Sequence, residues 1–334
     1  FIGLTLILIA SLMAACGPKA PDEKPTIKFA DSQFESLWIN NAIAQYILEE
    51  GYDYPTETII TTTPIAQVSL VSGDMDVWME VWQQNFPENY EEMLASGNFE
   101  NVGDAYEGGP QFYVIPQYTH EELGINTIFD MKDKWEYFKD PEDPSKGAFY
   151  NCTIGWQCEV VNAVKMEGYG ITDTYNIISP GTGGAMIATL SAAQKKKEHV
   201  FGYYWSPTAL MGMYDWYVLE EPAYDKAVWD KVGAAQEDES LRPIDEACAY
   251  ENLPVDIGIH AALRDTAPDA VAMLEKYTAG VQPINVTAAW SQENEVQDYK
   301  LAAVFYLRNY EDRWKTWVTA DAYDKIKAAL ALEP

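Results

Sequence analysis

The chain is predicted to fold as α/β layers arranged in two lobes. Short β-rich runs alternate with segments whose apolar residues recur at helical spacing, the pattern of sheets covered by helices. The 334 residues are more than one ordinary core holds and suggest about two domains. Apolar residues make up 48% of the chain, which is normal for globular cores.

Residues 26–30 (TIKFA) read as the first strand, followed by a helical pattern over 35–50 with Gly51 as its stop. A second strand is expected at 56–62, a short helix at 65–71, and a third strand at 76–81 that ends on Trp82. Residues 111–116 (QFYVIP) form a β run leading to a helix that begins within 126–132. The block 183–197 is a helix opened by glycines, and 199–205 is the strand after it. Helices over 268–277, 298–310 and 323–332 complete the chain. The expected division is 26–110 for the first part of lobe 1, 111–221 for lobe 2, and 222–334 for the rest of lobe 1 with the C-terminal helices.

Residues 1–13 are uncharged and apolar, and Ala14-Ala15-Cys16 follows them. That run is shorter than the roughly 20 apolar residues a membrane span needs. It fits the apolar region of a secretory signal closed by small residues. A Cys directly after the small pair is the bacterial lipoprotein pattern, so 1–15 is expected to be a signal peptide and Cys16 the lipid-bearing residue. The polar, Pro-containing stretch 16–25 suits a tether to the membrane. Both point to an extracytoplasmic location.

The charge balance is 22 Lys+Arg against 52 Asp+Glu, a net −30. Such a surface repels nucleic acid and anionic lipid and makes an anionic substrate unfavourable. With Cys16 assigned to the lipid, Cys152, Cys158 and Cys248 remain. Export permits a disulfide; a loop closed by Cys152 and Cys158 would stabilise by roughly 2 kcal/mol. Cys248 would then be unpaired and buried.

No enzyme is indicated. His120, His199 and His260 are far apart and lack metal-ligand spacing. No nucleophile elbow, His-Glu-x-x-His or phosphate loop occurs. The turn 179–184 (SPGTGG) lacks the Lys of a phosphate loop and reads as a strand-to-helix turn. No cofactor and no metal are expected.

The aromatic content is more telling. Eleven tryptophans and 22 tyrosines are many for this length, and several stand at the ends of β runs, where α/β folds place their ligands. Trp82 ends one such run, Trp205 another, and Trp156 lies in a short loop flanked by Cys152 and Cys158. Indole faces around a cation contribute about 0.5–2 kcal/mol each. Three faces give about 6 kcal/mol at most, whereas micromolar affinity needs roughly 8. The other end of the ligand must therefore supply the rest.

The segment NCTIGWQCEVVN (151–162) resembles the signature of the glycine betaine/choline-type, OpuAC-like, substrate-binding proteins of ABC importers. GDMDVWMEVW (73–82), GGAMIATLSAAQKKKEHVFGYYWSP (183–207) and APDAVAMLEKY (267–277) are similar to further blocks of that family, in the same order. The resemblance implies the two-lobed periplasmic-binding-protein fold (type II) with the ligand in the cleft between lobes, a methylated-amine ligand and an ABC permease as partner. It implies that Trp82, Trp156 and Trp205 cage the ammonium group, and that the backbone N–H groups of Gln157 and Cys158 meet a carboxylate. It also implies a disulfide between Cys152 and Cys158, which would hold Trp156 and those amides rigid and reduce the ordering cost of binding. Two positions depart from the pattern, since Phe86 and Thr208 stand where many glycine betaine binders have His. Glu80 lies two residues before Trp82 on the same strand face, an arrangement that looks more like the trimethylamine N-oxide branch. It is expected either to meet the ligand's polar end or to be a solvated strand-end carboxylate. The competing expectations are a sugar-binding lipoprotein, which would need more polar side chains around each ring, and an exported hydrolase, which would need a nucleophile–base motif.

Overall fold

Ten strands among the described residues form two five-stranded sheets, one per lobe. They are β1 (Ile27–Asp31), β2 (Thr56–Ile60), β3 (Val77–Val81), β4 (Phe99–Tyr106), β5 (Gln111–Pro116), β6 (Gly147–Tyr150), β7 (Tyr175–Ile178), β8 (Gly202–Trp205), β9 (Trp216–Val218) and β10 (Val255–His260). The computed structural model describes residues 24–334. The expected signal peptide, Cys16 and most of the tether lie outside the described residues.

The first sheet has the order β2-β1-β3-β10-β4 and the second β7-β6-β8-β5-β9. In the first, β1 runs parallel to β2 and β3, while β10 pairs antiparallel with β3 and β4. In the second, β6 runs parallel to β7 and β8, while β5 pairs antiparallel with β8 and β9. The two-lobed α/β architecture expected from the alternation is present, and the chain leaves the first sheet after β4 and returns to it at β10.

Local chemistry sets most element ends. The helix Glu35–Tyr52 buries Leu37, Ile39, Ile43, Ile47 and Leu48 at helical spacing. It does not stop at Gly51 as expected. It closes at Asp53, which takes the left-handed conformation with φ 57°. Gly51 instead lets the helix Ala320–Leu330 approach, because a Cβ there would lie 2.9 Å from Ile326 Cδ1. The expected helix at 126–132 is a 3-10 helix over Ile128–Tyr137, started by a capping box between Thr127 and Asp130. The turn 179–184 is the strand-to-helix connection expected, with the Thr182 hydroxyl accepting from the Ala185 N–H.

The segment after β9 differs from the sequence expectation. The expected division gives 222–334 to the rest of lobe 1 and the C-terminal helices, whereas the helix Lys226–Glu237 packs against Gln157–Gly168 of the second lobe. Trp229 and Tyr250 of this segment pack over a buried ion pair of the second lobe. Lys165 Nζ lies 2.8 Å from Glu221, with side chains only 0% and 4% exposed. The Tyr169 hydroxyl donates to the same carboxylate at 2.7 Å. Rings of Tyr250 and Tyr113 face the ammonium at 4.1 and 4.8 Å. Burial lowers the Lys165 pKa, and the Glu221 charge opposes that shift. A charge pair with an aromatic lining leaves no periodic signal in the sequence, so the return to lobe 1 was placed too early.

Candidate functional site

The strand ends that face each other across the two lobes carry aromatic side chains. β3 is buried along its whole length, and its period of two puts Trp78 and Glu80 on one face, with Trp82 next in register just beyond it. On the second sheet, Gln111 pairs with Trp205 across β5 and β8, and Tyr203 shares the face of Trp205. Trp156 is the N-cap of the helix Gln157–Gly168 and ends the loop that follows β6. Cys152 and Cys158 are bonded to each other, with Cα atoms 5.8 Å apart, and clamp that loop. Cys248 is free and buried.

These side chains line one pocket of about 40 Å³, with Glu80, Trp82, Trp156, Gln157, Cys158 and Trp205 all in its wall. All six residues singled out in the sequence therefore meet around one space. Phe86, noted in the sequence as a departure from the family pattern, also lines it, as do Phe34, Trp78, Gln111 and Tyr203, whose place there sequence reasoning missed. Thr208, by contrast, is not in the cavity wall; it starts the helix Ala209–Met213.

The rings are set edge to face. Trp156 and Trp205 have centroids 5.4 Å apart at 87°. Phe34 lies 5.5 Å from Trp156 and 6.1 Å from Trp205, again nearly perpendicular to both. Such T-shaped packing is favourable between rings. Phe34 reaches this position because Gln33 takes a left-handed conformation, φ 64°, between β1 and the following helix. Its N–H bonds to the Asp31 carboxylate at 2.7 Å. A non-glycine residue held there by a local bond is a local constraint of the kind found at binding sites.

The lobes touch across the cavity. The Trp156 indole N–H donates to the Ser32 carbonyl at 2.6 Å. Thr63 N–H donates to the Gly155 carbonyl at 3.1 Å. At the rim the Ala209 N–H donates to the Glu35 carboxylate at 3.3 Å. The arrangement is that of a closed cleft, with Trp82, Trp156 and Trp205 each less than 10% exposed.

Glu80 is fully buried rather than solvated. Its Oε1 accepts from Asn40 at 2.7 Å and from Tyr106 at 2.9 Å. Its Oε2 accepts from Ser36 at 3.1 Å and from the Trp82 indole at 3.2 Å. A carboxylate offers about four lone-pair sites, so all of them are taken. Burial pushes its pKa up to about 7, against the pull of those four donors. The carboxylate thus supplies charge to the cavity wall and has no acceptor capacity left for a ligand hydroxyl. That overturns one of the roles expected for it.

At the other wall, Gln157 and Cys158 open a helix whose N-cap makes no side-chain bond. The first N–H groups of a helix lack intrahelical acceptors and favour an anion. No basic residue lines the cavity, and none of the described cation–π contacts involves its tryptophans. Among the described residues no group of His, Cys, Asp and Glu could hold a metal ion.

Two five-stranded α/β lobes closed over a small aromatic cavity define a solute receptor of the periplasmic-binding-protein class. Residues 25–309 match the model of the OpuAC family, the substrate binding domain of the ABC-type glycine betaine transport system, and this chain belongs to that family. It is a substrate-binding protein and not an enzyme. A glycine betaine-binding periplasmic protein, OusX of Dickeya dadantii (strain 3937), is 26% identical over 214 residues, 62% of this chain and 61% of that relative. The match thus spans less than two thirds of that relative's length. The glycine/betaine/L-proline-binding protein ProX from Borrelia burgdorferi has a similar structure, with a TM-score of 0.70 at 20% identity over 90% of this chain and 99% of that one. An ABC-transporter choline-binding protein in complex with choline gives 0.70 at 18% identity over 91% and 98%. Lactococcal OpuAC, closed on glycine betaine, gives 0.69 at 13% over 89% and 100%. At these identities the structures establish the fold alone.

Proposed function

We propose that this chain captures a small quaternary or fully methylated amine, such as glycine betaine, choline or trimethylamine N-oxide, and hands it to an ABC permease. The observation that carries this reading is an aromatic cavity with a buried carboxylate and no basic side chain in its wall. Trp82, Trp156 and Trp205, joined by Phe34, form the cage for the methylated ammonium group. The N–H groups of Gln157 and Cys158 meet the polar end. Glu80 acts through its charge, and its bond from the Trp82 indole N–H polarises that ring toward the cation. A lipid on Cys16 would hold the receptor at the outer face of the membrane beside its permease.

A thermal-shift panel tests this. Glycine betaine, choline, carnitine and trimethylamine N-oxide at millimolar concentration should include at least one that raises Tm, because a ligand that binds only the folded state stabilises it by mass action. A panel in which none does so counts against the reading.

The charge on Glu80 predicts a pH dependence. Its folded pKa of about 7 lies above the ordinary carboxylate value, so at pH 6 the carboxyl is mostly protonated and a cation must displace that proton. Affinity for a quaternary ammonium should therefore rise from pH 6 to 8 and level off above it. In Glu80→Gln that rise should vanish. The same shift makes the carboxylate destabilising as it ionises. The protein's own stability should fall as pH climbs from the ordinary carboxylate range toward 7. Titration calorimetry at several pH values checks the first, and urea denaturation the second.

A further inference from the structure

We infer that Trp78 and Gln111 set the ligand specificity of this cleft by holding an acceptor-only, anionic end of the ligand. The inference rests on the receptor reading above and deepens it. Both residues line the cavity and are 2% and 5% exposed. The Trp78 Nε1–H and Gln111 Nε2–H groups are buried with no acceptor among the described residues. Buried N–H groups are otherwise almost always paired, so two of them on one small cavity call for a partner that enters it.

Each is held in place. The Trp78 ring stacks on Phe86, with centroids 6.0 Å apart at 5°. The Tyr203 hydroxyl donates to Gln111 Oε1 at 2.6 Å, which fixes the amide and turns its NH₂ away from Tyr203. Glu80 has its four sites filled, and the one fully buried side-chain acceptor in the wall without a hydrogen bond among the described residues is Asn85 Oδ1. A hydroxyl can use one donor and that one acceptor, leaving an N–H unpaired. A carboxylate accepts from both. The wall therefore favours a zwitterion with a carboxylate over an amino alcohol of the same cationic head.

Calorimetry of the whole chain with glycine betaine and with choline tests this, in the wild type and in Trp78→Phe and Gln111→Glu. Trp78→Phe keeps a ring against Phe86 without the donor, and Gln111→Glu keeps an acceptor for Tyr203. The wild type should bind glycine betaine at least tenfold more tightly than choline. Trp78→Phe should weaken glycine betaine at least fivefold while choline changes less than twofold, and Gln111→Glu, which adds a negative charge to the wall, should weaken glycine betaine at least fivefold without weakening choline. Choline binding as tightly as glycine betaine to the wild type overturns the inference and leaves the receptor reading intact. So does an equal loss of both ligands in both variants, or no loss in either. A wild type that binds neither also overturns this inference, while the receptor reading is decided by the four-compound panel above.

Discussion

Trp156→Ala is expected to weaken binding of the methylated amine at least tenfold. The indole contributes one face of the cage, about 0.5–2 kcal/mol. It also donates the hydrogen bond to Ser32 that joins the lobes at 2.6 Å, a further 0.5–1.5 kcal/mol or so. Together these come to about 1–3.5 kcal/mol, and each 1.4 kcal/mol is tenfold in affinity, so the upper end is about three hundredfold. Phe34 and Trp205 lose their edge-to-face partner as well. Trp156→Phe separates the contributions, because it keeps a ring face and loses the bond to Ser32. Titration calorimetry reads both, and near-wild-type affinity for the alanine variant would take this residue out of the cage.

Glu221→Ala should be the most destabilising single change outside the cleft. Lys165 would be left as an uncompensated charge at 0% exposure, and breaking such a pair costs about 3–5 kcal/mol. The Tyr169 hydroxyl would lose its acceptor too. An ammonium without its partner is held neutral by burial, so folding must release the proton. The deficit should therefore grow as pH falls. Replacing both partners, Lys165→Met with Glu221→Leu, should recover most of the loss, because apolar side chains of similar volume carry no desolvation penalty. Urea denaturation of the three variants at pH 6 and 8 gives the answer. Equal stability of Glu221→Ala and the wild type would contradict this account of the buried Lys165–Glu221 pair.

The parts of the site that were legible in the sequence sit on regular strands or in a distinctive motif. The period of two along β3 placed Glu80 and Trp82 together, and the loop NCTIGWQC singled out Trp156. The same periodicity would have reached Trp78, two residues further back on that face, had the unpaired indole N–H been visible. Phe34 left no such trace. Its position depends on the φ of Gln33, which belongs to the turn after β1 and to no motif. Gln111 needed the pairing of β5 with β8 before its place opposite Trp205 could be known. Glu80 shows the opposite limit. Its location was readable, but its saturation depends on Asn40 and Tyr106, 40 and 26 positions away in sequence. The strands β6 and β7, four residues each, are too short to show periodicity at all.

The central claim is that the cleft recognises a methylated ammonium group by its aromatic faces. The most direct measurement is a calorimetric series at pH 8 from glycine betaine through dimethylglycine and sarcosine to glycine, which removes methyl groups while keeping the carboxylate. The cage predicts affinity that falls with each methyl lost and no detectable binding of glycine at millimolar concentration. Glycine bound as tightly as glycine betaine would contradict it.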